Sequence, residues 1–142
     1  MKLNADFVDK LRNSGLRPTK QRLKICEILF NTEKTFHFTI NDLSKIISEK
    51  LSEKISLATV YNTVHAFKKK GYLKEISINS DKSYFDTNTS AHHHFYDEDT
   101  SELIDCSEND IDSINIKKNT TGKKIKSIEV LIKVATDNQN QK

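Results

Sequence analysis

The hydrophobic period of this chain changes at Gly71, and that change limits the folds open to it. Before Gly71 apolar residues recur at helical spacing; after it they alternate. Phe7 and Leu11 lie four apart, which predicts a short helix over Asn4–Asn13, ended by Gly15. Pro18 sits where the first turn of a second helix tolerates proline, and Leu23, Cys26 and Phe30 form that helix's apolar stripe. Thr39 with Asp42 reads as a capping box opening a third helix, whose inner face is Leu43, Ile46, Ile47 and Leu51. Ser56 can cap a fourth, with Leu57, Val60, Val64 and Phe67 inward. Beyond Gly71, Leu73, Ile76 and Ile78 lead into the polar turn Asn79-Ser80-Asp81, and Tyr84 and Phe85 follow, a β-hairpin pattern. Short helices closed by a hairpin outline a winged helix-turn-helix, with helices three and four as the turn-helix pair and the hairpin as the wing.

The remainder predicts a small α/β segment. Phe95-Tyr96 and Leu103-Ile104 read as short strands, and Ile111 with Ile114 as a helix of about three turns. Ile128, Val130, Ile132 and Val134 alternate, so residues 124–134 read as a half-buried strand. So small a segment buries too little surface to stand alone, and its apolar strand is expected to meet a second copy in a two-fold dimer. The expected fold is therefore α+β: a winged helix over residues 1–84, a small α/β dimerisation domain over 85–135, and a polar, disordered tail over 136–142.

Charge divides along the same line. The net charge is +3. Residues 1–84 hold 16 Lys/Arg against 9 Asp/Glu (+7), and residues 85–142 hold 7 against 11 (−4). A basic front half suits a polyanion, and an acidic back half rich in donor groups suits a cation. No apolar run approaches a membrane span and no leader pattern opens the chain, so a cytoplasmic protein without membrane contact is expected. The two cysteines, Cys26 and Cys106, form no C-x-x-C pair, which argues against a disulfide framework or a thiolate zinc site. Buried free thiols are the plain reading of both.

On the fourth helix the outward candidates are Ser56, Ala58, Thr59, Asn62, Thr63 and His65, with Tyr61 at the edge. Small residues would let the helix enter the major groove, Asn62 can bond a base edge, and Tyr61 and the threonines can reach phosphates or a thymine methyl. Arg17, Lys20, Arg22 and Lys68, Lys69 and Lys70 would contact phosphates and make affinity salt-dependent. An ordinary amphipathic helix with a solvated face is the competing reading; the wing and the charge asymmetry favour double-stranded DNA.

His92-His93-His94 is the densest chemical signal. In an extended strand residues i and i+2 share a face, so His92 and His94 could grip one ion while His93 points away. Asp86, His37 and Asp105 are the candidates to complete the set. Such a mixed nitrogen and oxygen set suits Fe(II), Mn(II) or Zn(II) without selecting strongly among them. Metal binding would then fix the angle between a DNA reader and a dimer core. A histidine-cluster enzyme would need an acid beside the cluster; Glu98 is the nearest, in a run that reads as solvated surface.

Four runs carry a resemblance: Gly15-Leu16-Arg17-Pro18-Thr19-Lys20-Gln21-Arg22, Ser56-Leu57-Ala58-Thr59-Val60-Tyr61-Asn62-Thr63, Tyr84-Phe85-Asp86-Thr87-Asn88 and His92-His93-His94-Phe95-Tyr96. Together they resemble the ferric uptake regulator superfamily, most of all its iron response regulator (Irr) branch. The resemblance implies a homodimer or higher oligomer that binds an AT-rich operator, and a regulatory metal on His37, Asp86, His92, His94 and Asp105. It also implies a recognition tyrosine at Tyr61, a basic contact near Arg17, and haem binding through the His run. An Irr-like regulator would control iron and haem genes as a repressor or activator. Peroxide sensors and Mn or Fe uptake repressors of the superfamily use the same ligands and are the alternative. The chain departs from the family pattern where many relatives carry C-x-x-C: Asp97 and Thr100 stand there, so no structural zinc held by four cysteines is expected. His93 and Asp112 match part of an additional metal or haem site, but Ile128 replaces its late histidine. The sole proline, Pro18, follows Arg17, so no Cys-Pro haem motif exists.

Overall fold

A computed structural model describes residues 4–52, 54–107 and 109–138. The chain divides into two compact units, Met1–Thr89 and Ser90–Lys142. The division falls five residues later than the charge pattern suggests, so Phe85 and Asp86 belong with the first unit.

In the first unit, α1 (Asn4–Asn13), α2 (Lys20–Phe30), α3 (Ile40–Leu51) and α4 (Leu57–Lys70) accompany an antiparallel sheet of β1 (His37–Phe38), β3 (Ser83–Asp86) and β2 (Lys74–Ser77), in that order. Local chemistry sets most helix ends. Gly15 and Gly71 adopt left-handed φ of 78° and 92°, which glycine takes without a Cβ clash. Each closes a Schellman cap: Gly15 N–H and Leu16 N–H donate to Arg12 and Leu11 carbonyls, and Gly71 N–H and Tyr72 N–H to those of Lys68 and Phe67. The capping box of α3 forms, with Thr39 Oγ1 accepting from Asp42 N–H and Asp42 Oδ2 from Thr39 N–H, both at 3.0 Å. Ser56 caps α4. The core joins Phe7 and Leu11 of α1, Ile25, Cys26 and Leu29 of α2, Leu43 and Ile47 of α3, and Val60, Val64 and Phe67 of α4 to Phe38 and Phe85 of the sheet. Burial pushes the Cys26 thiol up to about 12, so it is an inert core group.

Three expectations here need correction. Pro18 precedes the helix, because Thr19 takes the N-cap and accepts from Arg22 N–H. Leu57 is 53% exposed rather than inward. Thr63, expected outward, is fully buried, and its hydroxyl donates to the Thr59 carbonyl at 2.7 Å. The inner face of α4 is thus Val60, Thr63, Val64 and Phe67, at the i, i+3, i+4, i+7 spacing of one helix stripe. The two-residue β1 carries His37.

The second unit is a sheet in the order β5 (Glu102–Asp105), β4 (His94–Asp97), β6 (Leu131–Val134), with β4 antiparallel to β5 and parallel to β6. The helix expected around Ile111 and Ile114 is absent among the described residues. Its neighbours compete for the backbone: Asp110 Oδ2 accepts from Ser107 N–H at 2.8 Å, and Ser107 Oγ from Asn109 N–H at 3.3 Å. The strand expected over residues 124–134 shortens to Leu131–Val134, where pairing with β4 exists to support it. Of the tail, Thr136 is held by Asp99 Oδ2, which accepts from its N–H and hydroxyl, and those bonds keep the Asp99 carboxyl below its ordinary range. Residues 139–142 lie outside the described residues. No described helix is long and apolar enough to cross a membrane.

Candidate metal centre and nucleic-acid interface

Each unit pairs a histidine with an aspartate directly opposite it on an antiparallel neighbour. In the first unit His37 and Asp86 are register partners, with Nε2 3.1 Å from Oδ2. The Asp86 carboxylate is buried; its other oxygen accepts from Asn88 N–H at 2.8 Å. Phe36 and Thr87 hold this rung by reciprocal bonds, Phe36 N–H to Thr87 Oγ1 at 3.0 Å and Thr87 N–H to the Phe36 carbonyl at 3.2 Å.

In the second unit His94 and Asp105 are register partners, and Nε2 of both His92 and His94 lies 3.1 Å from the same oxygen, Asp105 Oδ1. The two rings are 4.2 Å apart, and the three residues' ligand atoms lie within 4.8 Å of one another. The His92 tautomer follows from its other nitrogen. Nδ1 is 2.7 Å from the Ser90 carbonyl, which can only accept, so the ring proton sits on Nδ1. Nε2 faces Asp105 Oδ1 beside Nε2 of His94. Two imidazole nitrogens and a carboxylate oxygen brought this close are a donor set that divalent ions take. The residues therefore fit a divalent metal.

His93 has the opposite tautomer. Its Nδ1 accepts from Val130 N–H at 2.9 Å, so the proton sits on Nε2, and its carbonyl accepts from Cys106 N–H at 2.9 Å. One residue thus pins both ends of the long connection from β5 to β6. Asp112 is exposed within that connection, and neither it nor His93 falls in the donor group among the described residues. Cys106 is half-buried, and burial raises its thiol.

On α4, Ser56, Ala58, Tyr61 and Asn62 are exposed and Thr59 half-exposed, while buried Thr63 cannot reach a ligand. Leu57, missed as an outward residue, joins Tyr61 one turn on in an exposed apolar edge, the kind of surface that meets a thymine methyl. Its spacing to Val60 and Val64 disguised it. Arg17 and Lys20 are exposed, and Arg22 braces the Arg17 backbone, its Nη1 donating to the Arg17 carbonyl at 3.1 Å. Lys68 is committed to Glu75 at 2.8 Å; that bond, then one from Ser83, holds the Glu75 carboxyl below its usual range.

The family model for the ferric uptake regulator family matches residues 13–133. The chain belongs to the ferric uptake regulator family. As a regulator of that family it is not an enzyme. It is 32% identical over 121 residues to the peroxide operon regulator of Bacillus subtilis, covering 84% of this chain and 81% of that one. It is 33% identical over 100 residues to the peroxide-responsive repressor PerR of Staphylococcus epidermidis, covering 70% of this chain and 65%, just under two thirds, of that one. Its fold is that of the ferric uptake regulators of Pseudomonas aeruginosa, solved with manganese (TM-score 0.66, 24% identity, 93% of this chain and 98% of that one), and Vibrio cholerae (0.68, 23%, 91% and 98%). These solved structures share its α+β fold, a helical N-terminal part and an α/β C-terminal part. The two relatives named by sequence are peroxide regulators, so likeness supports the family but not placement in the Irr branch.

Proposed function

We propose that this family member is a cytoplasmic, metal-dependent repressor that binds operator DNA as a homodimer and responds to peroxide. The metal would be held by His37, Asp86, His92, His94 and Asp105. The observation that carries the reading is the convergence of His92 Nε2 and His94 Nε2 on one oxygen of Asp105, each at 3.1 Å, a donor set that suits a divalent cation. The likeness to two peroxide-responsive regulators supports the input. Fe(II) held there would promote transfer of one peroxide oxygen atom to a ligand imidazole, with water as the other product. The chain's own part is to hold oxidisable imidazoles around the ion and to tie the DNA-reading unit to the pairing unit. A ligand that favours one arrangement of the two shifts the population by its difference in affinity.

The DNA surface would be Arg17, Lys20 and Arg22 on phosphates and Ser56, Ala58, Thr59, Tyr61 and Asn62, with Leu57, in the groove. Haem control in the manner of the Irr branch is the competing input, resting on the His run; it is weakened by His93, whose Nδ1 already serves Val130. An uptake repressor responding to Mn(II) or Fe(II) alone is the other competitor.

The test is a gel shift on an AT-rich palindromic duplex. The proposal expects tight binding with Mn(II) or Fe(II), release of the Fe(II) form by peroxide with gain of one oxygen atom on His37, His92 or His94, and no release of the Mn(II) form. Release by haem alone would instead support the Irr reading, and metal-dependent binding indifferent to peroxide the uptake-repressor reading.

A further inference from the structure

A line of rings inside the first unit leads from the sheet carrying the His37–Asp86 rung to the tyrosine assigned to DNA. Tyr61 is 51% exposed on α4. Its ring centroid lies 4.1 Å from that of His65, one turn on along the same helix face. The His65 ring meets Phe85 in a T-shaped contact at 5.4 Å and an 84° interplanar angle, and Phe85 stacks on Phe38 at 5.9 Å. Phe38 and Phe85 are register partners on the rung next to His37 and Asp86. Neighbouring residues of a strand point to opposite sides of the sheet, so the metal rung and the phenylalanine rung are two faces of the same strand pair. Phe38 and Phe85 are both essentially buried in a close-packed core, so a change in the β1–β3 pairing cannot be absorbed there and must pass to what they touch.

What Phe85 touches towards solvent is His65. A space-filler would serve the core equally as an aliphatic residue; a flat ring gripped by Phe85 on one side and Tyr61 on the other also fixes where the tyrosine points. We propose that His65 is a positioning residue whose ring sets Tyr61 according to the state of the β1–β3 sheet, and so makes operator affinity depend on metal at His37 and Asp86. This rests on the metal-dependent repressor reading above.

The test measures the affinity of the full-length protein for a duplex that the wild type selects from a random pool, with and without Mn(II), and separately Mn(II) binding without DNA. Wild type is expected to gain affinity with Mn(II) by about tenfold or more, within the usual range of coupling between two sites. His65→Ala should bind Mn(II) as wild type does yet lose about three- to tenfold of that gain, the worth of one aromatic contact. His65→Phe should restore it, and His65→Leu, which fills the space without a ring, should not, which keeps the test open if the alanine variant melts. Tyr61→Ala with His65→Ala should be no worse than Tyr61→Ala alone, because the two act as a unit. A full Mn(II) gain in both His65→Ala and His65→Leu, or additive losses in the double variant, would overturn the relay and leave metal control standing. Absence of any Mn(II) gain in wild type would refute metal control and the relay with it.

Discussion

The first unit builds a core from four helices and a sheet, with Phe7, Phe38, Phe67 and Phe85 at 2% exposure or less. The second has three short strands, buries only Tyr96 and Leu103 among its described apolar residues, and leaves Ile104, Ile114, Ile116, Ile125 and Val134 at 36–50% exposure. The difference teaches a division of labour. The reading head carries its own stability and can present α4 as a rigid surface. The second unit leaves much of its described apolar surface exposed, and its small core contributes little to holding it.

The strongest way to break that comparison is to hollow both cores. Phe67→Ala should cost about 3–5 kcal/mol in urea unfolding, the usual loss for a buried phenylalanine, and abolish operator binding. An equal loss on replacing Ile116 by Ser would mean that the second unit is as well packed as the first. Next in size, Ile116→Asp with Ile125→Asp should weaken self-association in sedimentation by about tenfold or more, since a buried isoleucine is worth about 1.5–3 kcal/mol, with the melting of the first unit unmoved. Smaller again, Thr39→Ala removes the cap of α3 and should lower the first unit's stability by about 1 kcal/mol.

The smallest effect concerns acid. Glu75 has its folded pKa lowered chiefly by the Lys68 hydrogen bond. Its contribution is therefore present above its unfolded value of about 4.3 and is lost as pH falls through the folded value. Glu75→Gln should melt slightly below wild type at neutral pH and together with it in strong acid.

The units also differ in how much of them the sequence betrayed. Helix ends were legible because caps are local: Thr39 with Asp42, Ser56, and glycines at 15 and 71 each act within a few residues. Misjudged residues were those whose fate depends on distant partners. Leu57 and Thr63 exchange the expected sides of α4 because packing against α3 and α2 sets the helix rotation. Residues 106–130 escaped because Asp, Asn and Ser there bond their own backbone. The donor residues could be named from spacing and resemblance, but the tautomers of His92 and His93 could not, since each is set by a carbonyl or amide that only the fold brings near.

We have proposed that His37, Asp86, His92, His94 and Asp105 serve one ion. Calorimetric titration of the full-length protein with Mn(II) tests it directly. The account predicts one ion per chain, and loss of at least about 10–100-fold in affinity from either His37→Ala or His94→Ala alone, no less than removal of a ligand's support typically brings. Two ions per chain, or His37→Ala binding Mn(II) as tightly as wild type, would contradict it.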